Sequence, residues 1–118
     1  MGGIKRTPNA AQTRWREAVR SLGSVISGGP AVIHHPVGRT GMHNKTHIGH
    51  WWVIPLTDDE HKALHNGQLD FYLCETKWEG MCRKEFEKSS FEMVLNDPRI
   101  IDEPISPAVY HAIMDYHR

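Results

Sequence analysis

Cysteine is scarce in this chain. Cys74 and Cys82 are the only two, and their spacing matches neither a zinc knuckle nor a CxxC redox pair. A disulfide-stapled scaffold is therefore excluded, and two reduced, buried thiols are expected instead. Long apolar runs are missing as well: none approaches the roughly 20 residues that cross a bilayer, so no membrane partner is expected. The opening stretch MGGIKRTPNAAQ holds basic residues but neither an apolar segment nor a small-residue cleavage signature, which argues against a secretory signal and for a cytoplasmic protein. There is no internal repeat and no low-complexity tract. Net charge is also absent, with 14 basic residues balancing 14 acidic ones. That balance hides an uneven distribution, because acidic residues are nearly missing from the first third. Residues 1–45 hold Lys5, Arg6, Arg14, Arg16, Arg20, Arg39 and Lys45 against Glu17 alone. A neutral sum leaves a nucleic-acid partner open, since phosphate binding depends on the local patch. Two oppositely charged faces that attract each other within the fold would produce the same pattern.

What is present suits one small domain. The chain has 118 residues, 39% hydrophobic and 24% charged, enough for one modest core and too little for two. Thr7 and Pro8 suit a helix start, and Ala11, Trp15, Ala18, Val19 and Leu22 share one side of that helix before Gly23. Arg14, Arg16 and Arg20 fall largely on the other side. SVISGGP reads as a turn. AVIHH (31–35) and HWWVIPL (50–56) read as strands that pair as a hairpin, joined by a polar, Gly-containing loop over 36–49. Thr57 with Glu60 forms a capping-box pattern for a helix that Asn66 and Gly67 stop. Apolar residues at 71, 74, 78, 82 and 86 predict a further amphipathic helix, weakened by Gly80. Ser89 with Glu92 is a second capping-box candidate ahead of FEMVL, and Ser106-Pro107 opens a last helix with Val109, Ala112, Ile113 and Tyr116 on one side. The expected architecture is α+β: a flexible basic arm (1–6), an N-terminal helix, a ββα core (31–66) and a helical C-terminal extension (70–118).

Histidine is the residue in excess. Seven of the nine histidines lie between positions 34 and 65. His61 and His65 stand four apart on a predicted helix, a spacing that presents two imidazoles to one cation. His34 ends the first strand of a hairpin across which that helix should pack, so His34, His61 and His65 can meet at one point. Three neutral imidazoles leave coordination positions open on a divalent cation (Mg, Mn or Zn) for water and a phosphate oxygen. His35 should diverge from His34, because neighbouring strand residues face opposite sides and Pro36 keeps His35 extended. An imidazole with pKa near ~6.5 beside a metal site suits proton transfer from water. Taken singly, an HxxxH or an HH pair is common on solvated surfaces; their placement on elements that converge makes the metal site the favoured reading. His43, His47 and His50 are weaker candidates for touching DNA, and His111 and His117 are expected to be structural or exposed.

The segments LGSVISGGPAVIHH, GMHNK, IPLTDDEH, LHNG and KWEGM, covering about residues 22–82, resemble the HNH or His-Me finger nucleases. Within them the chain is most similar to the phage recombination-enhancement, Ref-like RecA-dependent nucleases. The resemblance implies a ββα-metal core and one-metal hydrolysis of DNA phosphodiesters in phage recombination or DNA processing. It also implies His34, His61 and His65 as metal ligands, His35 as general base, and a RecA filament as partner. Arg39 and Lys45 would touch phosphates, with Lys5, Arg6, Arg14, Arg16 and Arg20 extending the basic track. The departures are specific. Ser24, Ser27 and Thr57 stand where the family has cysteines, so packing must replace a structural zinc. Trp52 stands near the middle Asn of HNH, whose bracing role would fall to a neighbour such as His50. These departures motivate the alternative of a noncatalytic DNA-binding accessory protein on the same fold. A third possibility is a closed, four-ligand structural metal module that mediates protein contacts.

Overall fold

The order of elements in the computed structural model follows from local rules along most of the chain; it describes residues 8–100 and 105–116. Helix α1 (Ala10–Ser21) starts at Asn9, whose side chain accepts from the Gln12 amide while Gln12 returns a bond to the Asn9 amide. Asparagine out-competes the expected Thr7–Pro8 start, because this reciprocal cap satisfies two backbone donors. Thr7 itself, with the arm residues Lys5 and Arg6, lies outside the described residues. Gln12, Trp15 and Val19 form the buried stripe, and Gly23 follows with φ +79°. A Cβ there would press against the Gly28 carbonyl oxygen at 2.7 Å, so the turn closes only on glycine.

Strand β1 (Val32–His34) pairs antiparallel with β4 (Ile54–Leu56), placing His34 opposite Ile54 and Val32 opposite Leu56. The second strand is shorter than the sequence suggests. Residues 50–52 form a turn and bend, because Trp52 leaves the sheet to enter the core. The 36–49 loop is not structureless: β2 (Met42–His43) and β3 (Thr46–His47) make a second, minimal antiparallel pair. Asn44 and Lys45 turn it with φ of 51° and 63°. Its return is pinned at Gly49, where any Cβ would collide with the carbonyl oxygens of Gly38 and Arg39.

Helix α2 (Asp58–His65) follows β4 directly and packs on both β1 and β4. Thr57 and Glu60 form the expected capping box. Glu60 is 2% exposed and also accepts the Ser24 hydroxyl. Ser24 in turn accepts the amides of Ile26 and Ser27. This network ties the 24–27 turn to the start of α2, at a position where a cysteine was the family expectation.

Beyond α2 the sequence reading needs correction. The helix expected over 71–86 is broken into α3 (Asp70–Leu73), an irregular stretch, and α4 (Arg83–Leu95). Glu75 (φ 64°) and Gly80 (φ 83°) interrupt it. Only Trp78 and Phe86 of the five marked positions are buried, while Phe71, Cys74 and Cys82 are exposed. The buried thiols expected from composition are thus surface thiols. Ser89 lies inside α4 and not at a cap, since the reciprocal cap sits earlier, at Cys82 with Glu85. Helix α5 (Pro107–Asp115) is capped by Ser106 as expected and buries Val109, Ala112 and Ile113.

Two apolar clusters result. One joins α1, α4 and α5 around Trp15, Trp52 and Phe91; the other joins β4, α2 and α3 around Trp78 and Phe86. Trp15 meets Phe91 edge-on at 6.5 Å and donates its indole N–H to the Trp51 carbonyl at 2.8 Å, a buried aromatic satisfying its one polar atom. The architecture is a small α+β domain with, among the described residues, five helices and two antiparallel two-stranded sheets. The histidine-rich segment contributes to both, Ile48, Trp52 and Val53 to the first and Ile54, Leu56 and Leu64 to the second.

Candidate metal centre

His34, His61 and His65 come together. They offer ligand nitrogens that all lie within 4.8 Å of one another. The His34 ring centroid is 5.1 Å from that of His61 and 5.4 Å from that of His65. The one-turn spacing on α2 sets the Nε2 atoms of His61 and His65 3.0 Å apart, one donating to the other. The burial is graded. His34 is 1% exposed, His61 is partly buried and His65 is open to solvent, so the group runs from the interior to the surface.

His34 carries two further observations. Its Nε2 is hydrogen-bonded to Glu87 Oε2 at 2.6 Å, and that carboxylate is also 1% exposed. Its Nδ1 is buried without a hydrogen-bond partner. An orphaned polar nitrogen in a folded interior forfeits about 1–3 kcal/mol unless something occupies it. A nitrogen lone pair beside two more imidazoles fits a borderline divalent cation, so the residues present suit the group that the resemblance implies.

His35 faces elsewhere, as the alternation of strand side chains requires. Its ring neighbour is His50, 6.3 Å away between centroids, and His50 is itself buried with His47 5.3 Å further on. The His50 amide donates to His47 Nε2 at 3.3 Å. The pKa of His35 is lowered from 6.5 to about 4, first by burial and then by the charges of Arg39, His50, His34 and Arg16. This corrects the expectation of an unperturbed imidazole: His35 is neutral near pH 7, with its accepting form fully populated and its basicity reduced. Burial is also the first cause that lowers His47, His61 and His65, with His34 repelling the latter two.

These shifts share one sign and have a measurable consequence. Each histidine binds its proton less readily folded than unfolded, so protons favour the unfolded chain once pH falls below ~6.5. Stability is therefore complete above that value and declines as pH drops toward about 4, where His35 titrates in the fold. Urea midpoints measured from pH 8 to pH 4 are expected to be flat at first and then fall. His35→Gln should flatten the descent, and an unchanged descent in that variant would remove His35 from the account.

The basic residues divide. Arg39 and Lys45 are exposed on the loop between β1 and β4, and Arg39 is close enough to His35 to depress its pKa. Arg16 acts on His35 from α1 and lies 3.8 Å from Glu17. Arg20 forms an ion pair with Glu17, and Arg14 is exposed. Trp52, which stands near the asparagine position of the motif without being able to take its bracing role, is fully buried and donates its indole N–H to the Glu87 carbonyl at 3.3 Å. It is a core residue that touches the centre through α4. His43 bonds Asp115 at 3.0 Å on the far side of the β2–β3 turn, and His111 is exposed on α5.

Sequence reasoning missed Glu87 and its neighbour Arg83, whose Nε donates to the same Oε2 at 3.2 Å. A signal existed. Residues 87, 90, 91 and 94 make one buried stripe on α4, so Glu87 occupies an apolar phase. Starting the helix at Ser89 hid that phase.

No family model matches the chain, and no curated protein or solved structure matches it. Among the described residues, no helix is long and apolar enough to cross a membrane.

Proposed function

We propose that this chain is a divalent-metal-dependent DNA endonuclease that hydrolyses phosphodiesters by the HNH one-metal reaction, through a ββα-metal core made of β1, β4 and α2. The observation that carries the reading is the convergence of the His34, His61 and His65 nitrogens to within 4.8 Å, with His35 next in the chain and its ring beside His50 instead. A bound cation, of which Mg, Mn and Zn are the candidates, would supply charge stabilisation to the phosphate and to the departing oxygen.

The chain's own groups do the rest. His35, neutral at working pH, accepts the proton of a water whose oxygen attacks phosphorus. The bond to the 3′-oxygen breaks, that oxygen takes a proton from solvent, and the products carry 5′-phosphate and 3′-hydroxyl ends. Arg39 and Lys45 hold neighbouring phosphates, and Arg16 with Arg14 and Arg20 extends the track along α1, giving affinity and salt dependence without sequence readout. Burial is the first cause of the lowered His35 pKa and Arg39 the second; a phosphodiester seated against Arg39 offsets that second part, so the base strengthens when DNA is bound. The setting is phage recombination or DNA processing in a host cytoplasm, with a RecA filament as the partner that the Ref-like resemblance suggests.

A second reading, a noncatalytic DNA-binding accessory protein, is favoured by one observation: His35 Nε2 is buried without a partner, a poor position from which to reach water. The two separate in one assay. Supercoiled and single-stranded DNA are incubated with Mg²⁺, Mn²⁺ or Zn²⁺, with and without RecA filaments. Metal-dependent nicking that disappears in His61→Ala supports the nuclease. Retarded DNA that is never cut selects the accessory protein.

A further inference from the structure

We infer that Glu87 is the positioning residue of the metal centre, holding His34 through Nε2 so that Nδ1 is the nitrogen presented to the cation. The inference rests on the proposal that His34, His61 and His65 bind a divalent metal, and it assigns a role to a residue outside that set.

Glu87 Oε2 lies 2.6 Å from His34 Nε2 and accepts from Arg83 Nε at 3.2 Å. A carboxylate oxygen paired with a guanidinium is held ionised and can only accept, so the proton of the His34 contact sits on His34 Nε2. The lone pair is then confined to Nδ1, the atom that is buried and unpartnered. Both residues are 1% exposed, so water does not compete for either group. The carboxylate is itself held from two directions: by Arg83 one turn earlier on α4, and by the backbone of residue 87, whose carbonyl receives the Trp52 indole N–H. Trp52 is fully buried, so the core fixes where Glu87 can be.

A carboxylate behind a ligating imidazole has two effects. It fixes the ring's rotation and tautomer before metal arrives, and it raises the basicity of the ligating nitrogen. His61 and His65 bond each other, Nε2 to Nε2 at 3.0 Å. Glu87 thus makes His34 the anchor ligand, and the more exposed α2 pair completes the site. Arg83, partly exposed and sharing the carboxylate, keeps the buried acid compensated.

The test uses full-length protein with Mn²⁺ or Zn²⁺ alone, without DNA. Calorimetric titration of wild type, Glu87→Gln and Glu87→Met measures affinity, and nitrogen-15 correlation spectra of the metal-free proteins report the His34 ring. Wild type is expected to show the Nε2–H form with a far-downfield, exchange-protected ring proton. Glu87→Met should lose that signal and bind metal ~10–100-fold more weakly, the usual cost of deleting such a partner. Glu87→Gln keeps the shape and an acceptor while removing the charge, so it keeps the inference testable if the methionine variant does not fold. Its ring proton should move upfield and its affinity should fall by several-fold, within about tenfold. An Nδ1–H form in wild type, or unchanged ring signal and affinity in folded Glu87→Gln, overturns the role of Glu87 while the metal centre stands. Wild type that takes up no metal, even with the expected ring signal, overturns both.

Discussion

His35→Ala is expected to slow metal-dependent DNA cleavage by about 10²- to 10⁴-fold, the range that a positioned general base contributes, while leaving metal uptake intact. The separation follows from geometry. His35 neighbours His50 and the charges of Arg39 and Arg16, whereas the three convergent imidazoles lie around His34. Removing the His35 ring deletes the proton acceptor without touching a ligand nitrogen. Single-turnover nicking measures the rate, and thermal stabilisation by Mn²⁺ measures the metal site in the same preparation. Because the folded imidazole titrates at about 4, the base should show no loss of its accepting form between pH 8 and pH 6. Cleavage at the wild-type rate in His35→Ala assigns the proton to another acceptor. Loss of metal stabilisation in that variant would mean that His35 supports the centre and is not independent of it.

Trp52→Ala should destabilise the domain by about 3–5 kcal/mol, the usual cost of truncating a fully enclosed tryptophan. A total stability of roughly 5–15 kcal/mol leaves little reserve. The side chain is completely buried, sits in the same cluster as Trp15 and Phe91, and lies 6.0 Å edge-on from Tyr116. The substitution also strips the Glu87 carbonyl of its indole donor. Urea denaturation should show the loss in the midpoint, and Tm should fall by more than ~10 °C at this chain length. Trp52→Phe keeps most of the volume and should be far milder. An alanine variant within about 1 kcal/mol of wild type would show that the Trp52 side chain does not support this core.

The elements most accurately legible in the sequence are those set by neighbours a few residues away. Thr57 with Glu60, the stop at Asn66–Gly67 and the Ser106–Pro107 start are satisfied by backbone donors within one turn, and they appear where expected. The pairing of His61 with His65 belongs to the same class, because helical pitch alone brings residues four apart together. Local competition explains two of the errors. Asn9 caps α1 ahead of Thr7, and Cys82 with Glu85 caps α4 before Ser89 can. The supposed helix over 71–86 had the right period but the wrong burial: Phe71 is 87% exposed, and the chain instead turns at Glu75 and Gly80.

By itself, the sequence determined that His34 and His35 would face different ways and that α2 would present two imidazoles, because strand alternation and helix pitch are properties of the backbone. Only the tertiary structure decided what lies behind His34. Glu87 is 53 residues away, and no local rule joins a carboxylate in the middle of α4 to the end of β1. That contact exists because α4 packs against β4, where a buried imidazole meets a buried carboxylate that satisfies one of its nitrogens.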